Sequence, residues 1–209
     1  MSTAEKAPRR AYWLKTLHQW HWISAALCLI GMLLFAITGF TLNHASDIEA
    51  KPRVQSKRGQ LPDALLKELA AQPEKGKGVA LPEGVRQWTS AQWDVNAVGK
   101  EAEWSKEEVY LSLPKPGGDA WLRIDRATGS VEYEVTDRGW ISYLNDLHKG
   151  RHTGTAWRWF IDVFAFACLV FCTTGLLILK MHAANRAKTW PIVGAGLVIP
   201  LLLALLFIH

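Results

Sequence analysis

Residues 18–44 decide the fold: HQWHWISAALCLIGMLLFAITGFTLNH, in which residues 22–42 carry no charge. A helix of about 20 apolar residues crosses a hydrocarbon core roughly 30 Å thick, so this stretch predicts a transmembrane helix. Residues 164–179 and 190–208 are also uncharged. The chain is therefore predicted to be an integral membrane protein with three transmembrane helices.

Basic residues beside these segments predict the topology. Cytoplasmic ends of transmembrane helices carry an excess of Lys and Arg. The clusters lie before the first segment and after the second: Lys6, Arg9, Arg10, Lys15, Lys180, Arg186 and Lys188. We predict a bacterial inner-membrane protein with a cytoplasmic N-terminus and a large periplasmic loop. These clusters also explain the net charge of +5, so membrane lipid rather than nucleic acid is the expected partner.

The predicted layout has six parts. They are a cytoplasmic tail (1–17), a first transmembrane helix (18–43), a periplasmic domain (44–154), a second transmembrane helix (155–181), a cytoplasmic connector (182–189) and a third transmembrane helix (190–209). The first apolar run is too long for a signal peptide and is not closed by a small-residue cleavage site, so it is predicted to be retained. All three cysteines lie within predicted helices, which leaves none for a disulfide in the loop.

The loop is predicted to form a small α+β domain. Residues 62–71 (PDALLKELAA) have the apolar stripe of a short helix. Residues 119–125 and 130–136 alternate with period two, as a half-buried antiparallel sheet requires. Two further strands are predicted at residues 86–95 and 108–113. The predicted fold class is thus membrane α-helical, with three transmembrane helices plus one short helix on a small antiparallel sheet.

Three stretches resemble a known family. DRATGSVEYEV (125–135) is similar to the D-x-x-T-G-x-V hairpin of PepSY domains. The flanking stretches 17–45 and 144–182 resemble the PepSY-associated transmembrane family, through a His-Trp entry, two Thr-Gly pairs and a Leu-His before the second helix. The likeness covers most of residues 13–182. Members of that family include haem-containing inner-membrane reductases linked to iron and siderophore uptake, usually with more than three helices.

All seven histidines lie at or just beyond the ends of the apolar segments. His21 and His44 are about 23 residues apart, which is roughly 35 Å of helix, so they belong to different sites. The histidines therefore sort into two groups on opposite sides of the membrane. The predicted cytoplasmic group is His18, His21 and His182, and the predicted periplasmic group is His44, His148, His152 and His209.

Each group is predicted to hold haem b through two imidazoles, which gives one or two haems per chain. Such a haem is low-spin and suits electron transfer. On the periplasmic side the predicted pair is His44 with His148, and His152 and His209 are alternatives. On the cytoplasmic side it is His182 with His21 or His18: His21 lies deeper, whereas the family-type Leu-His entry falls on His18. Three further basic residues are candidates for binding the haem propionates: Lys149, Arg151 and Arg158.

The predicted function is transmembrane electron transfer that reduces ferric iron or a ferric siderophore in the periplasm, an enzymatic activity implied by the resemblance. No nucleotide-binding motif is present, so quinol or another protein is the expected electron donor. Three helices are few to enclose a haem, and a homodimer is one predicted solution. Two alternatives stay open: a non-catalytic PepSY-type adaptor, and an accessory protein that holds Zn or Cu through His44, His148 and His152.

Overall fold

The computed structural model describes residues 3–48, 51–72 and 76–208. His209 lies outside the described residues. The chain divides into two compact units, Met1–Leu34 with Trp159–His209 and Phe35–Arg158. The elements in chain order are α1 (Thr3–Asn43), β1 (Arg53–Gln60), α2 (Asp63–Ala70), β2 (Gly76–Val79), α3 (Glu83–Trp93), β3 (Ala102–Trp104), β4 (Glu108–Ser112), β5 (Gly118–Asp125), β6 (Ser130–Asp137), α4 (Gly139–Lys149), α5 (Gly154–His182), a 3-10 turn (Ala183–Asn185) and α6 (Thr189–Phe207).

Three of these helices are long and apolar enough to cross a membrane: α1, α5 and α6. Together with the α+β domain between α1 and α5, they confirm the predicted fold class. In the first unit, α1 and α5 approach closely at Gly31, where an added Cβ would lie 2.4 Å from the Phe164 ring. Small residues commonly allow such close approach between membrane helices. None of the residues of α6 is buried in the chain.

The second unit contains one six-stranded antiparallel sheet with the strand order β1-β6-β5-β4-β3-β2. Burial alternates along β5, with Ala120, Leu122 and Ile124 buried and the residues between them more exposed. The buried face packs with Leu69 of α2 and Val85 of α3 in one hydrophobic core. This core holds the domain together, because apolar surface removed from water stabilises the fold by roughly 25 cal/mol per Å².

The prediction of a strand at residues 86–95 was wrong, because this stretch lies in α3 and its exit. Val85 and Thr89, four residues apart, are fully buried, which is the spacing of one helix face. Asp94 then ends the helix in the left-handed conformation, at φ 58°. The sheet therefore has two short helices on it rather than one, and β1, β2 and β3 are strands that the sequence patterns did not indicate.

The turn between β5 and β6 explains the D-x-x-T-G pattern. Asp125 Oδ1 accepts hydrogen bonds from the backbone N–H groups of Ala127 (3.0 Å) and Thr128 (2.7 Å) and from Thr128 Oγ1 (2.8 Å). Gly129 follows at φ 72°, a conformation that favours glycine. The hydrogen bonds from Thr128, then those from Ala127 and the charge of Arg123, lower the pKa of Asp125 below 3.8.

Replacing Asp125 with Ala is expected to lower the unfolding free energy by roughly 1 kcal/mol, because the turn loses its shared acceptor. Since the folded-state pKa is lowered, the stabilisation is complete above the ordinary pKa of 3.8 and is lost as the pH falls through the folded value. Tryptophan-monitored unfolding of the detergent-purified protein against pH measures this effect. Asp125→Asn, which keeps one acceptor oxygen, should lie between parent and Ala variant. Equal stability of all three at neutral pH would contradict the prediction.

Candidate functional site

Three histidines of the first unit line one groove, and we call them the N-terminal histidine group: His18, His21 and His182. The groove has a volume of about 650 Å³. Its remaining walls are formed by small or apolar residues, Gly175, Ile178 and Leu179, and by one cation, Arg186. Arg10 Nη2 also donates to the carbonyl of Met181 (3.0 Å), so the basic residues at the start of α1 and the end of α5 lie at the same end of this unit.

His18 and His182 face each other across this groove, with ring centroids 6.1 Å apart and the rings nearly perpendicular. Each Nδ1 is bonded to a carbonyl one turn earlier on its own helix, Leu14 O at 2.8 Å and Ile178 O at 2.9 Å. A carbonyl only accepts, so Nδ1 carries the proton and Nε2 keeps the lone pair that a metal ion needs. Both side chains have ligand-competent tautomers.

His21 is held by the other helix of the pair. Its Nδ1 donates to Phe171 O and to Thr174 Oγ1, both at 3.1 Å. Its ring stacks on Phe171 with centroids 4.5 Å apart. An added Cβ at Gly175 would lie 3.1 Å from His21 Cε1, so glycine leaves space for the ring. His21 is therefore more constrained than His18 or His182.

The second unit holds the loop-side histidine group, defined as His44, His148 and His152. His148 lies on α4 and packs against α1, with Nδ1 2.7 Å from Thr38 Oγ1. Its ring centroid is 4.8 Å from that of Phe35. An added Cβ at Gly39 would lie 3.5 Å from His148 Cε1.

The other two members of the loop-side histidine group do not contact His148 in the described part of the chain. His44 Nδ1 donates to Phe40 O (3.0 Å), and its ring packs on Phe40. Because a helix turns about 100° per residue, Phe40 lies on a different side of α1 from the residues that contact His148. α4 ends at Lys149, and His152 follows with φ 58°, so the i+4 spacing does not place His152 one helical turn beyond His148.

α4 is fixed to the sheet by a buried carboxylate. Asp146 is 7% exposed and its Oδ2 accepts a hydrogen bond from the backbone N–H of Gly117 (2.8 Å). Gly117 has φ 71°, and an added Cβ would lie 2.7 Å from Tyr143 Cβ, so α4 approaches the turn before β5 very closely. On the other side of α4, Asn145 Oδ1 accepts from Thr41 Oγ1 (2.9 Å). These contacts determine where His148 lies.

The predicted propionate-binding residues are exposed. The Arg158 guanidinium donates to Thr155 Oγ1 (3.3 Å), and the Arg151 backbone N–H donates to Asp146 O (2.9 Å). Their side chains, like that of Lys149, are open to solvent or to headgroups. Among the described residues, no group of three or more His, Cys, Asp or Glu side chains is arranged to hold a metal ion.

The second unit also contains a basic cleft of about 430 Å³ where the chain leaves α1 and enters α4. Three cations line it, namely Lys51, Arg53 and Arg138, against one carboxylate, Asp137. Asp137 Oδ1 already accepts a hydrogen bond from Gly139 N–H (2.8 Å). Trp140 adds an aromatic wall and is 69% exposed. The cleft suits an anionic ligand that has a flat or apolar part.

These features define the class of the protein: it spans a membrane with three helices and carries a small α+β domain between the first two. Residues 12–209 match the model of the family described as "Putative PepSY_TM-like", and the chain belongs to this family. This match confirms the predicted resemblance to the PepSY-associated transmembrane family as a family assignment. Neither a curated protein nor a solved structure matches the chain.

Sequence reasoning missed the residues that hold His21 and His148. It treated the two Thr-Gly pairs as family motifs, whereas in the structure each contacts an imidazole. A signal was present, because both pairs end the same pattern, F-x-x-T-G, at residues 35–39 and 171–175. Helix α4 was also missed, although its burial of Asn145 and Asp146 positions His148.

Replacing Asp146 with Ala is expected to lower the unfolding free energy by roughly 1–3 kcal/mol, because the Gly117 N–H loses its acceptor in a buried position. Amide hydrogen exchange within α4 should become faster at the same time. Asp146→Asn retains an acceptor and should lose less, and Lys149→Ala, on the exposed side of α4, is the matched control. Unchanged exchange in the Asp146→Ala variant would show that this bond does not hold α4.

Proposed function

We propose that the protein transfers electrons across the membrane through haem b and reduces ferric iron or a ferric chelate at its α+β domain. The observation that carries this proposal is the N-terminal histidine group, in which three imidazoles from two membrane helices line one groove. Two imidazoles suffice for a haem, whereas a zinc or copper site usually needs three or four protein ligands. Three histidines line the groove, but the described residues contain no group of three or more His, Cys, Asp or Glu side chains placed to hold a metal ion, so the groove suits haem better than a bare metal ion.

The groove fits the macrocycle chemically. All three histidines have Nδ1 bonded to an oxygen, which leaves Nε2 as the ligand atom. Ile178 and Leu179 provide apolar wall, and Arg186 is a cation at the edge that suits a propionate. In this proposal His182, together with His21 or His18, would hold the haem iron. A bis-imidazole haem supplies one-electron transfer between Fe(III) and Fe(II) without an open coordination position.

The loop-side histidine group offers one positioned ligand for a second haem, but not a pair. His148 has its Nδ1 bonded to Thr38 and keeps Nε2 as the ligand atom, but His44 packs on a different side of α1. A single chain thus does not bring this predicted pair together. We propose that the second ligand comes from a second copy of the chain, so that the homodimer completes the loop-side site.

The basic cleft is the proposed substrate site. A ferric chelate with carboxylate or catecholate oxygens is anionic, and Lys51, Arg53 and Arg138 supply the opposite charge. One electron converts the bound Fe(III) to Fe(II), whose lower charge weakens its bonds to oxygen ligands. The proposed orientation puts the cleft in the periplasm and the basic ends of α1 and α5 in the cytoplasm, as the positive-inside rule favours. Quinol or a protein is the proposed electron donor.

A dithionite-reduced minus oxidised absorbance spectrum of the purified protein tests the haem. We expect a low-spin b-type signal, with one to two haems per chain by pyridine haemochrome. His182→Ala should lose the haem of the N-terminal histidine group, and His152→Ala, in the second unit, is the matched control because it should retain that haem. A colourless protein after expression with ample haem would favour the adaptor function instead, and bound zinc or copper without haem would favour the accessory protein.

Lys51→Ala with Arg53→Ala is expected to raise the KM for an anionic ferric chelate about tenfold, because two charges of the cleft are lost, while kcat stays unchanged. Ferrozine detection of Fe(II) during steady-state turnover, with a water-soluble quinol in excess as the electron donor and a reaction without protein as the background, measures this. The charge-conserving pair Lys51→Arg with Arg53→Lys is the control, and a neutral ferric chelate should show no difference. Equal KM values for all variants would exclude the cleft as the substrate site.

A further inference from the structure

The chain contains the same five-residue pattern twice, as FAITG at residues 35–39 of α1 and FCTTG at residues 171–175 of α5. Each copy contacts one histidine from a different helix. In the second unit, the copy on α1 contacts His148 of α4. In the first unit, the copy on α5 contacts His21 of α1. Both copies of the pattern therefore contact a histidine that the sequence analysis predicted to be a haem ligand.

The contacts correspond position by position. The phenylalanine packs on the imidazole, at 4.8 Å for Phe35 with His148 and at 4.5 Å for Phe171 with His21. The threonine Oγ1 lies 2.7 Å from Nδ1 in the first copy and 3.1 Å in the second. The glycine lies beside Cε1, where an added Cβ would be 3.5 Å away in the first copy and 3.1 Å away in the second. One phenylalanine, one threonine and one glycine thus contact each ring, with His21 stacked on Phe171 at 16° and His148 tilted at 41° to Phe35.

The threonine contributes to which ring nitrogen carries the proton, and at His21 the Phe171 carbonyl is a second acceptor for Nδ1–H. Thr38 Oγ1 donates its hydrogen to Phe35 O (3.2 Å), and Thr174 Oγ1 donates to Val170 O (2.7 Å). With its hydrogen already committed, each hydroxyl accepts from the imidazole, so the proton lies on Nδ1. Both contacts are part-buried, and an imidazole N–H that lacks an acceptor when water is excluded is costly, which favours this tautomer. Nε2 is then the basic nitrogen of both rings.

These rings differ from the other described histidines that have a bonded Nδ1. His18, His44 and His182 each bond a carbonyl of their own helix, four residues earlier. Such a bond leaves the ring attached to one helix only. His21 and His148 are fixed between two helices, which holds a ligand atom in place far better.

We propose that the two F-x-x-T-G segments are copies of one histidine-positioning device, and that Thr38 and Thr174 fix His148 and His21 as Nδ1–H tautomers whose Nε2 atoms are the ligands. This assigns His21, rather than His18, as the partner of His182. The inference rests on the proposed function only where it takes haem iron as the group bound by Nε2. Thr38 and Thr174 are positioning residues, since they act through the imidazoles.

Nitrogen-15 NMR of histidine-labelled, haem-free protein in nanodiscs tests the tautomers directly. At about pH 8.5, where imidazole is neutral, His21 and His148 should both show Nδ1 protonated and Nε2 unprotonated. Single His→Gln variants assign the signals. Observation of either ring as the Nε2–H tautomer in the unmodified chain would overturn the proposal at that ring, whether or not any threonine variant folds.

The threonine variants separate positioning from simple packing. Thr38→Val, which keeps the shape but removes the acceptor, should shift His148 toward the Nε2–H tautomer, and Thr38→Ser should restore Nδ1–H. Thr174→Val should shift His21 less, because Phe171 O remains as an acceptor at 3.1 Å. The His18 signals are the internal control in every variant. Equal His148 spectra for parent, Val and Ser variants would show that Thr38 only packs.

Haem-loaded protein gives a second readout. Thr38→Val should weaken haem retention at the loop-side site about 10-fold to 100-fold and shift its midpoint potential positive, because the imidazole becomes a weaker donor. His21→Ala should lose the haem of the N-terminal histidine group, whereas His18→Ala should retain it, and the reverse result would overturn the assignment of His21. A protein that binds no haem would refute the proposed function, while the tautomer measurement would still decide the positioning role.

Discussion

Every polar hydrogen inside a hydrocarbon layer needs an acceptor that the protein itself supplies, and the rest of this structure depends on that constraint. Helices satisfy the backbone internally, so α1, α5 and α6 are continuous over the apolar stretches. Side-chain hydroxyls follow the same rule: Ser24 donates to Trp20 O (2.8 Å), and Thr174 donates to Val170 O. The imidazoles near the helix ends also hydrogen-bond through Nδ1 to threonine hydroxyls or to backbone carbonyls. These hydrogen bonds determine that Nε2 is the nitrogen available as a ligand atom.

The domain between α1 and α5 follows different physics, because it is built like a soluble protein. Its sheet buries one face under α2 and α3, and a hydrogen-bonded carboxylate shapes the turn after β5. The part that matters for the site is α4, which Asp146 ties to the turn before β5. Since His148 is one of the last residues of α4, the position of a ligand candidate beside a membrane helix depends on a buried hydrogen bond in the soluble fold.

Hydrophobic periodicity predicted an element correctly where one of its faces is clearly apolar, and it failed where the residues are compatible with both a strand and a helix. α2, β5 and β6 have unambiguous apolar stripes and were predicted. Residues 86–95 contain two tryptophans and a valine, residue types that are frequent in strands. Only the full burial of Val85 and Thr89, four residues apart, shows that this stretch forms a helix with one buried face. β1 could not be foreseen, because most of its residues are exposed and its place in the sheet comes from pairing with β6.

The sequence by itself determined the three membrane helices, the family and the positions of the histidines at the helix ends. The reason is that the length of an uncharged stretch and its residue types are local properties, and they decide whether the stretch is stable in a bilayer. The sequence also contained the repeated F-x-x-T-G pattern, though not its meaning. Only the tertiary structure decided which imidazole each threonine meets, that His44 and His148 occupy different sides of α1, and that His18, His21 and His182 share one groove. Those relations are set by contacts between helices distant in the chain, and no local pattern encodes the angle at which one helix faces another.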